Sequence, residues 1–186
     1  MRKFYQRVNA EMVKALSENE RVCYARIDNR FIVGANPFHC AYILPEDWIL
    51  FNPSKAMRND ALESLFIYLI SSCTIQKENE ITPTDMYMSG NGKQFNRQYT
   101  GANLLTGEKH KVWLNTAYTK DVNNLYCQFY QENPKSLLKR GAAITDRRWL
   151  PVLAAKVDPV NGVDFVPLKI ILPIRTFDDE ERTKDE

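Results

Sequence analysis

A chain of 186 residues and 21.6 kDa, 44% hydrophobic and 11% aromatic, has the apolar material for a sizeable core and the length of one domain or two, which excludes general disorder. No run reaches 18 apolar residues, and the best, 61–70, contains Glu63 and Ser64, so a membrane-spanning helix is excluded. The net charge of +2 is unevenly placed: 178–186 carries −4 and the rest +6, a mildly basic body with an acidic tail that points weakly to a polyanionic partner.

The N-terminal stretch MRKFYQRVNAEM is basic but has no apolar signal-peptide core, so a cytoplasmic location is expected. Residues 4–17 are predicted as a helix. Phe4, Val8, Met12 and Leu16 fall on one side with Tyr5 and Ala15, and Lys3, Arg7 and Lys14 gather opposite them. Three short strands follow: 21–28, Arg30 to Val33, and Phe38 to Leu44. Asp47 to Phe51 is a candidate fourth. Asn52-Pro53-Ser54 reads as a helix start with Ser54 as the cap, leading into 55–70, whose second half, LFIYLI, fits a buried strand equally well.

Residues 76–107 hold Pro83, Gly90, Gly92, Gly101 and Gly107 and no sustained periodicity, so a long loop or short irregular hairpins are expected. Strand character resumes at 110–118, and 119–123 can form a helical turn. Residues 125–132 alternate Leu125, Cys127 and Phe129 against Tyr126, Gln128 and Tyr130. Ser136 to Arg140, Trp149 to Val157 and Val163 to Ile174 are further strand candidates. The sum is an α+β fold of mainly antiparallel sheet with two or three helices.

Catalytic signatures are missing. The chain has no G-x-S-x-G, no H-E-x-x-H and no phosphate-binding G-x-x-x-x-G-K-[ST], and SGNGKQ at 89–94 reads as a turn. With two histidines, His39 and His110, a histidine-based catalytic centre or multi-histidine metal site is poorly supplied. Cys23, Cys40, Cys73 and Cys127 lie far apart with no C-x-x-C pair, so reduced buried thiols are expected rather than a zinc site or a disulfide framework. Acid pairs such as Glu46-Asp47 read as solvated turns. No catalytic residue, metal ligand or cofactor is assigned. The stripe Lys3, Arg7 and Lys14 suits weak, salt-sensitive contact with phosphates without base reading, although an ordinary solvated helix face has the same pattern.

Several segments, in order, resemble the bacterial DNA sliding clamp, the β subunit of DNA polymerase III. In WLNTAYTKDVNNL (113–125), Asn115, Tyr118, Asp121 and Val122 sit where the clamp's last domain has an N-x-x-Y-x-x-D-V-type strand and helix start. KIILPIRT (169–176) is similar to the final clamp strand ending in M-P-M-R, with Leu172, Pro173, Ile174 and Arg175 in the matching places. FIVGANPFHCAYILP (31–45) is similar to the A-T-D-G-H-R-L-A turn, keeping Ala35 and His39 and departing at Asn36, Pro37, Phe38, Cys40 and Ala41. The likeness covers about 110 of the 186 residues.

The resemblance implies one clamp-like domain over 1–177, made of two β-α-β-β-β halves at about 1–72 and 108–177, around the irregular 76–107 and followed by a disordered acidic tail, 178–186. It implies a non-enzymatic processivity factor of DNA replication or of a mobile element, holding double-stranded DNA without sequence specificity through Lys3, Arg7 and Lys14. It also implies an apolar groove, formed by His39, Leu172, Pro173, Ile174 and Arg175, for short peptides of polymerases or repair proteins. A homo-oligomer is a further implied partner, although so short a subunit needs an unusual number of copies to encircle DNA. Two readings of other classes remain open: a small metal-dependent enzyme such as a nuclease, with its site in 76–107, and an interaction domain with no DNA role.

Overall fold

The computed structural model describes residues 1–27, 29–35, 39–48, 52–59, 80–90, 93–102, 109–131, 150–157 and 165–174. Among them are two α-helices, two short 3-10 helices and ten strands, an α+β architecture dominated by antiparallel pairing, as expected. No helix among the described residues is long and apolar enough to cross a membrane.

Helix α1 spans Arg2–Ser17. Its apolar spacing seats it: Phe4, Tyr5, Val8, Met12 and Ala15 are buried, and Leu16 is half-buried. Asn9 also lies on this face, 3% exposed, and its side-chain amide donates to the Trp48 carbonyl. Tyr5 stacks on the Trp48 ring at 5.4 Å. Trp48 ends a 3-10 helix, Glu46–Trp48, in place of the expected strand from Asp47. Pro45 closes the preceding strand and the chain turns behind it; residues 49–51 lie outside the described ones.

Strands β1 (Val22–Ile27), β2 (Arg30–Ala35) and β3 (Cys40–Pro45) form an antiparallel meander. β4 (Met57–Arg58) pairs parallel with β1. A 3-10 helix, Pro53–Lys55, precedes it, and its cap is Asn52, not Ser54. The Asn52 Oδ1 accepts from the Ser54 N–H at 3.0 Å and from its hydroxyl at 2.6 Å. The helix expected from residue 55 is therefore extended chain at Met57–Arg58; 60–70 lie outside the described residues.

The segment expected to be irregular carries the two longest strands described, β5 (Glu80–Gly90) and β6 (Lys93–Ala102), paired as a hairpin. The ladder shifts register between Pro83 and Tyr87 and again between Met88 and Ser89. Each shift breaks the two-residue alternation, which is why no strand periodicity shows in the sequence. β7 (Lys109–Asn115) pairs with β6 and ends earlier than expected. The Asn115 side chain accepts from the Ala117 N–H at 2.9 Å and starts helix α2, Thr116–Asn123, three residues ahead of the expected turn.

β8 covers only Gln128–Gln131 of the expected 125–132 strand. Leu125 and Cys127 instead return their N–H groups to the Val122 carbonyl at 2.9 and 3.4 Å and close α2. β9 (Val152–Val157) and β10 (Phe165–Ile171) complete the sheet, with a bulge between Pro167 and Lys169. The strand candidate at 136–140 and the acidic tail lie outside the described residues.

The sheet order is β4-β1-β2-β3-β10-β9-β8-β5-β6-β7. Two units of helix followed by antiparallel meander, α1-β1-β2-β3 and α2-β8-β9-β10, meet through their last strands, β3 against β10. β7 precedes α2, so the second unit has the strand-helix-three-strand order, whereas the first begins with its helix. β7 does not sit beside its own meander but at the far end of the sheet. The sheet curls enough that the Trp113 carbonyl on β7 accepts the Ile174 N–H beyond β10 at 2.9 Å.

Both helices pack on one face, where Val8, Met12 and Val122 join Tyr42, Leu44, Val112 and Ile171 in a continuous core. The alternate residues of the central strands, Ala25, Ile32, Ile43, Leu153 and Ile170, are buried too. Strands buried on both faces read as continuous apolar runs, as 31–33 and 170–171 do.

Candidate functional site

The end of β10, the start of β3 and the start of α2 converge. The Leu172 N–H donates to the His39 carbonyl at 2.9 Å, and the Ile174 N–H binds the Trp113 carbonyl. The His39 ring stacks on Tyr118 of α2, 6.0 Å between centroids and 21° between planes. Four of the five expected groove residues, His39, Leu172, Pro173 and Ile174, are thus brought together; Arg175 lies outside the described residues. Leu172 is 37% exposed, and Pro173 and Ile174 are half-buried, so this strip is not plain core. Tyr118 and Trp113, half-buried, extend it.

Beneath lies a charge network that motif reasoning missed. Lys169 on β10 is 1% exposed. Its Nζ donates to the Tyr42 hydroxyl at 3.1 Å and to both Asp121 oxygens at 3.2 and 3.3 Å, and stands 4.2 Å from the Tyr42 ring centroid. Tyr42 in turn donates to Glu11 at 3.0 Å, and Arg7 reaches Asp121 at 3.5 Å. Burial, reinforced by the Asp121 and Glu11 carboxylates, pushes the Tyr42 hydroxyl far above its ordinary range, so it stays a donor. One lysine therefore ties β10 to β3 and α2, and through Asp121 and Tyr42 to α1. The detectable signal was a lysine inside the apolar run 166–172, which needs a buried counter-charge.

All four residues matched in 113–125 have definite places. Asn115 caps α2, Tyr118 stacks on His39, Asp121 holds Lys169 and Val122 is fully buried.

The basic stripe is less uniform than expected. Lys3, Arg7 and Lys14 are all exposed on the outer face of α1. Glu11 and Glu18 share that face, however. Arg7 lies 3.9 Å from Glu11 besides its contact with Asp121, and Lys14 lies 3.7 Å from Glu18. Only Lys3 makes no ion pair among the described residues. The reason is helical geometry: residues four apart are neighbours, so each acid falls beside a base.

Three cysteines, Cys23, Cys40 and Cys127, are free thiols. Burial raises each one, and Cys127, with Asp121 adding to burial, is pushed up to about 12. These are protonated, poorly nucleophilic groups, consistent with reduced thiols used for packing. Among the described residues no three His, Cys, Asp or Glu side chains form a group able to hold a metal ion. Comparison with protein-family models, curated proteins and solved structures finds no match.

Proposed function

We propose that the chain is a non-enzymatic, DNA-associated platform of the sliding-clamp type, serving DNA replication or a mobile element and taking short apolar peptides in the His39–Ile174 groove. The observation that carries this reading is the convergence of His39 with Leu172, Pro173 and Ile174 beside Tyr118. An exposed leucine, a proline without an N–H and two aromatic rings make an apolar strip with few polar anchors, the usual seat of a short motif. Two helix-and-meander units joined last strand to last strand, with both helices on one face, supply the matching framework. Lys3, Arg7 and Lys14 face away from the sheet, where they would follow phosphates weakly and in a salt-dependent manner.

The groove is tested by titrating a fluorescent clamp-binding peptide into wild type and Leu172→Asp. Saturable binding that the variant loses is expected; no saturable binding by wild type overturns the groove. The DNA surface is tested by filter binding at several salt concentrations with a Lys3→Glu, Lys14→Glu double variant. Arg7 is left in place because it touches Asp121 in the core network. Loss of two phosphate contacts is expected to flatten the log–log salt slope by about 1.8. Equal affinity and slope in the two proteins would remove the DNA role.

A further inference from the structure

A pocket of about 380 Å³ opens between the C-terminal half of α1, β3 and the first turn of α2. Tyr118 and Cys40 line it and also border the groove, since Tyr118 stacks on His39. Met12, Ala15 and Ala35 supply apolar wall. Glu11, Glu18 and Glu20 line it as well, with the ammonium of Lys14. Glu11 already takes Arg7 and the Tyr42 hydroxyl, and Glu18 takes Lys14, so among the described residues Glu20 is the one of the three with no ion pair. The buried cation nearby, Lys169, is held by Asp121 and Tyr42, which engage its charge. The pocket is therefore open to solvent, apolar along part of its wall and carries more carboxylates than cations. That shape and charge match one long basic side chain, an apolar stem along the wall ending in a cation beside Glu20.

We propose that this pocket takes an arginine or lysine side chain of the peptide that lies in the adjoining groove, so that the partner segment carries a basic residue beside its apolar anchor. The inference rests on the peptide-binding reading for its source of the cation, and on the pocket alone for the cation itself.

Two titrations with the full chain separate these. In the first, clamp-binding peptides extended by a single Arg or a single Glu are compared. Arg is expected to bind about fivefold tighter, the size of one or two partly exposed charge contacts. A Glu18→Gln, Glu20→Gln double variant should erase that difference and leave the unextended peptide's affinity unchanged. An Asp85→Asn variant, altering a fully exposed carboxylate on the β5–β6 hairpin, should erase nothing. Equal binding of the two extended peptides overturns the proposal. In the second, agmatine, a guanidinium on a four-carbon stem, is titrated while the Ala117 and Tyr118 amide signals are followed by NMR. Saturable shifts that the double variant abolishes support a cation pocket. Such shifts without any peptide binding would fail the groove reading and overturn the peptide as the source, assigning the pocket to a free amine. No shifts, with peptide binding intact but indifferent to Arg, would overturn the pocket and spare the groove.

Discussion

Asp121 and Lys169 show how much a single residue can decide here. An ammonium that is 1% exposed cannot remain in the core without compensation, and Asp121 supplies the carboxylate at 3.2 and 3.3 Å. Asp121→Asn keeps the shape and removes the charge, and is expected to cost about 3–5 kcal/mol of stability in urea unfolding. Lys169→Met alone should cost less, because Asp121 retains Arg7 at 3.5 Å. The double variant should recover much of the Asp121→Asn loss, since Asn and Met leave no ammonium buried without its carboxylate. A cost below about 1 kcal/mol for Asp121→Asn would refute the network as a structural tie. The expected functional residues are a different matter at this scale. Lys3, Arg7 and Lys14 were legible as exposed because their helical spacing sets them opposite Phe4, Val8 and Met12. That Glu11 and Glu18 temper two of them follows from the same i, i+4 geometry, but the reach of Arg7 to Asp121 depends on how α1 and α2 are placed and is not written in either helix.

At the scale of the element, the helix ends are informative. Both α1 and α2 are followed by a left-handed residue, Asn19 at φ 60° and Tyr126 at φ 56°. Asparagine tolerates that conformation; tyrosine does not, and Tyr126 is 92% exposed, so no packing offsets the strain. Tyr126→Gly is expected to stabilise the chain by about 1 kcal/mol and to raise its melting temperature by roughly 2–4 °C in calorimetry. An unchanged or lower melting temperature would show that the ring contributes packing. The elements themselves were unevenly legible. α1 stood out because its sixteen residues repeat an uninterrupted apolar spacing. β5 and β6 did not, because two register shifts and Pro83 erase the alternation on which a strand is recognised. The Leu125–Cys127 stretch alternated like a strand, yet its N–H groups close α2, a choice made by the competition between helix capping and sheet pairing.

For the whole molecule, the relevant quantity is how many acidic groups are buried with their protons on. Burial, with Glu80 adding to it, raises Tyr130 from 10.0 to about 12, and burial with Asp121 raises Cys127 from 9.0 to about 12. Tyr42 and Cys40 move in the same direction. Each is neutral when protonated, so the folded chain holds these protons more tightly than the unfolded one. Stability from this source is complete below about pH 9 and falls as the pH rises towards 12. Melting temperature measured between pH 8 and pH 11.5 is expected to be level at first and then to decline steadily; a level curve throughout would count against buried protonated thiols and phenols.

What the sequence determined by itself is local. Apolar spacing set α1 and the runs of β1, β2, β3 and β10, and the scarcity of long-range pairing signals in a helix or a short strand does not matter to either, because each is specified by its own residues. The α+β class follows from those pieces. What only the tertiary structure decided is where distant pieces meet. β3 pairs with β10, the sheet curls until β7 reaches Ile174, and these two contacts carry His39 to Leu172 and Tyr118 to His39. No spacing within any one segment encodes such a meeting, since it depends on the register of a sheet whose strands are buried on both faces and are selected by complementary packing rather than by pattern.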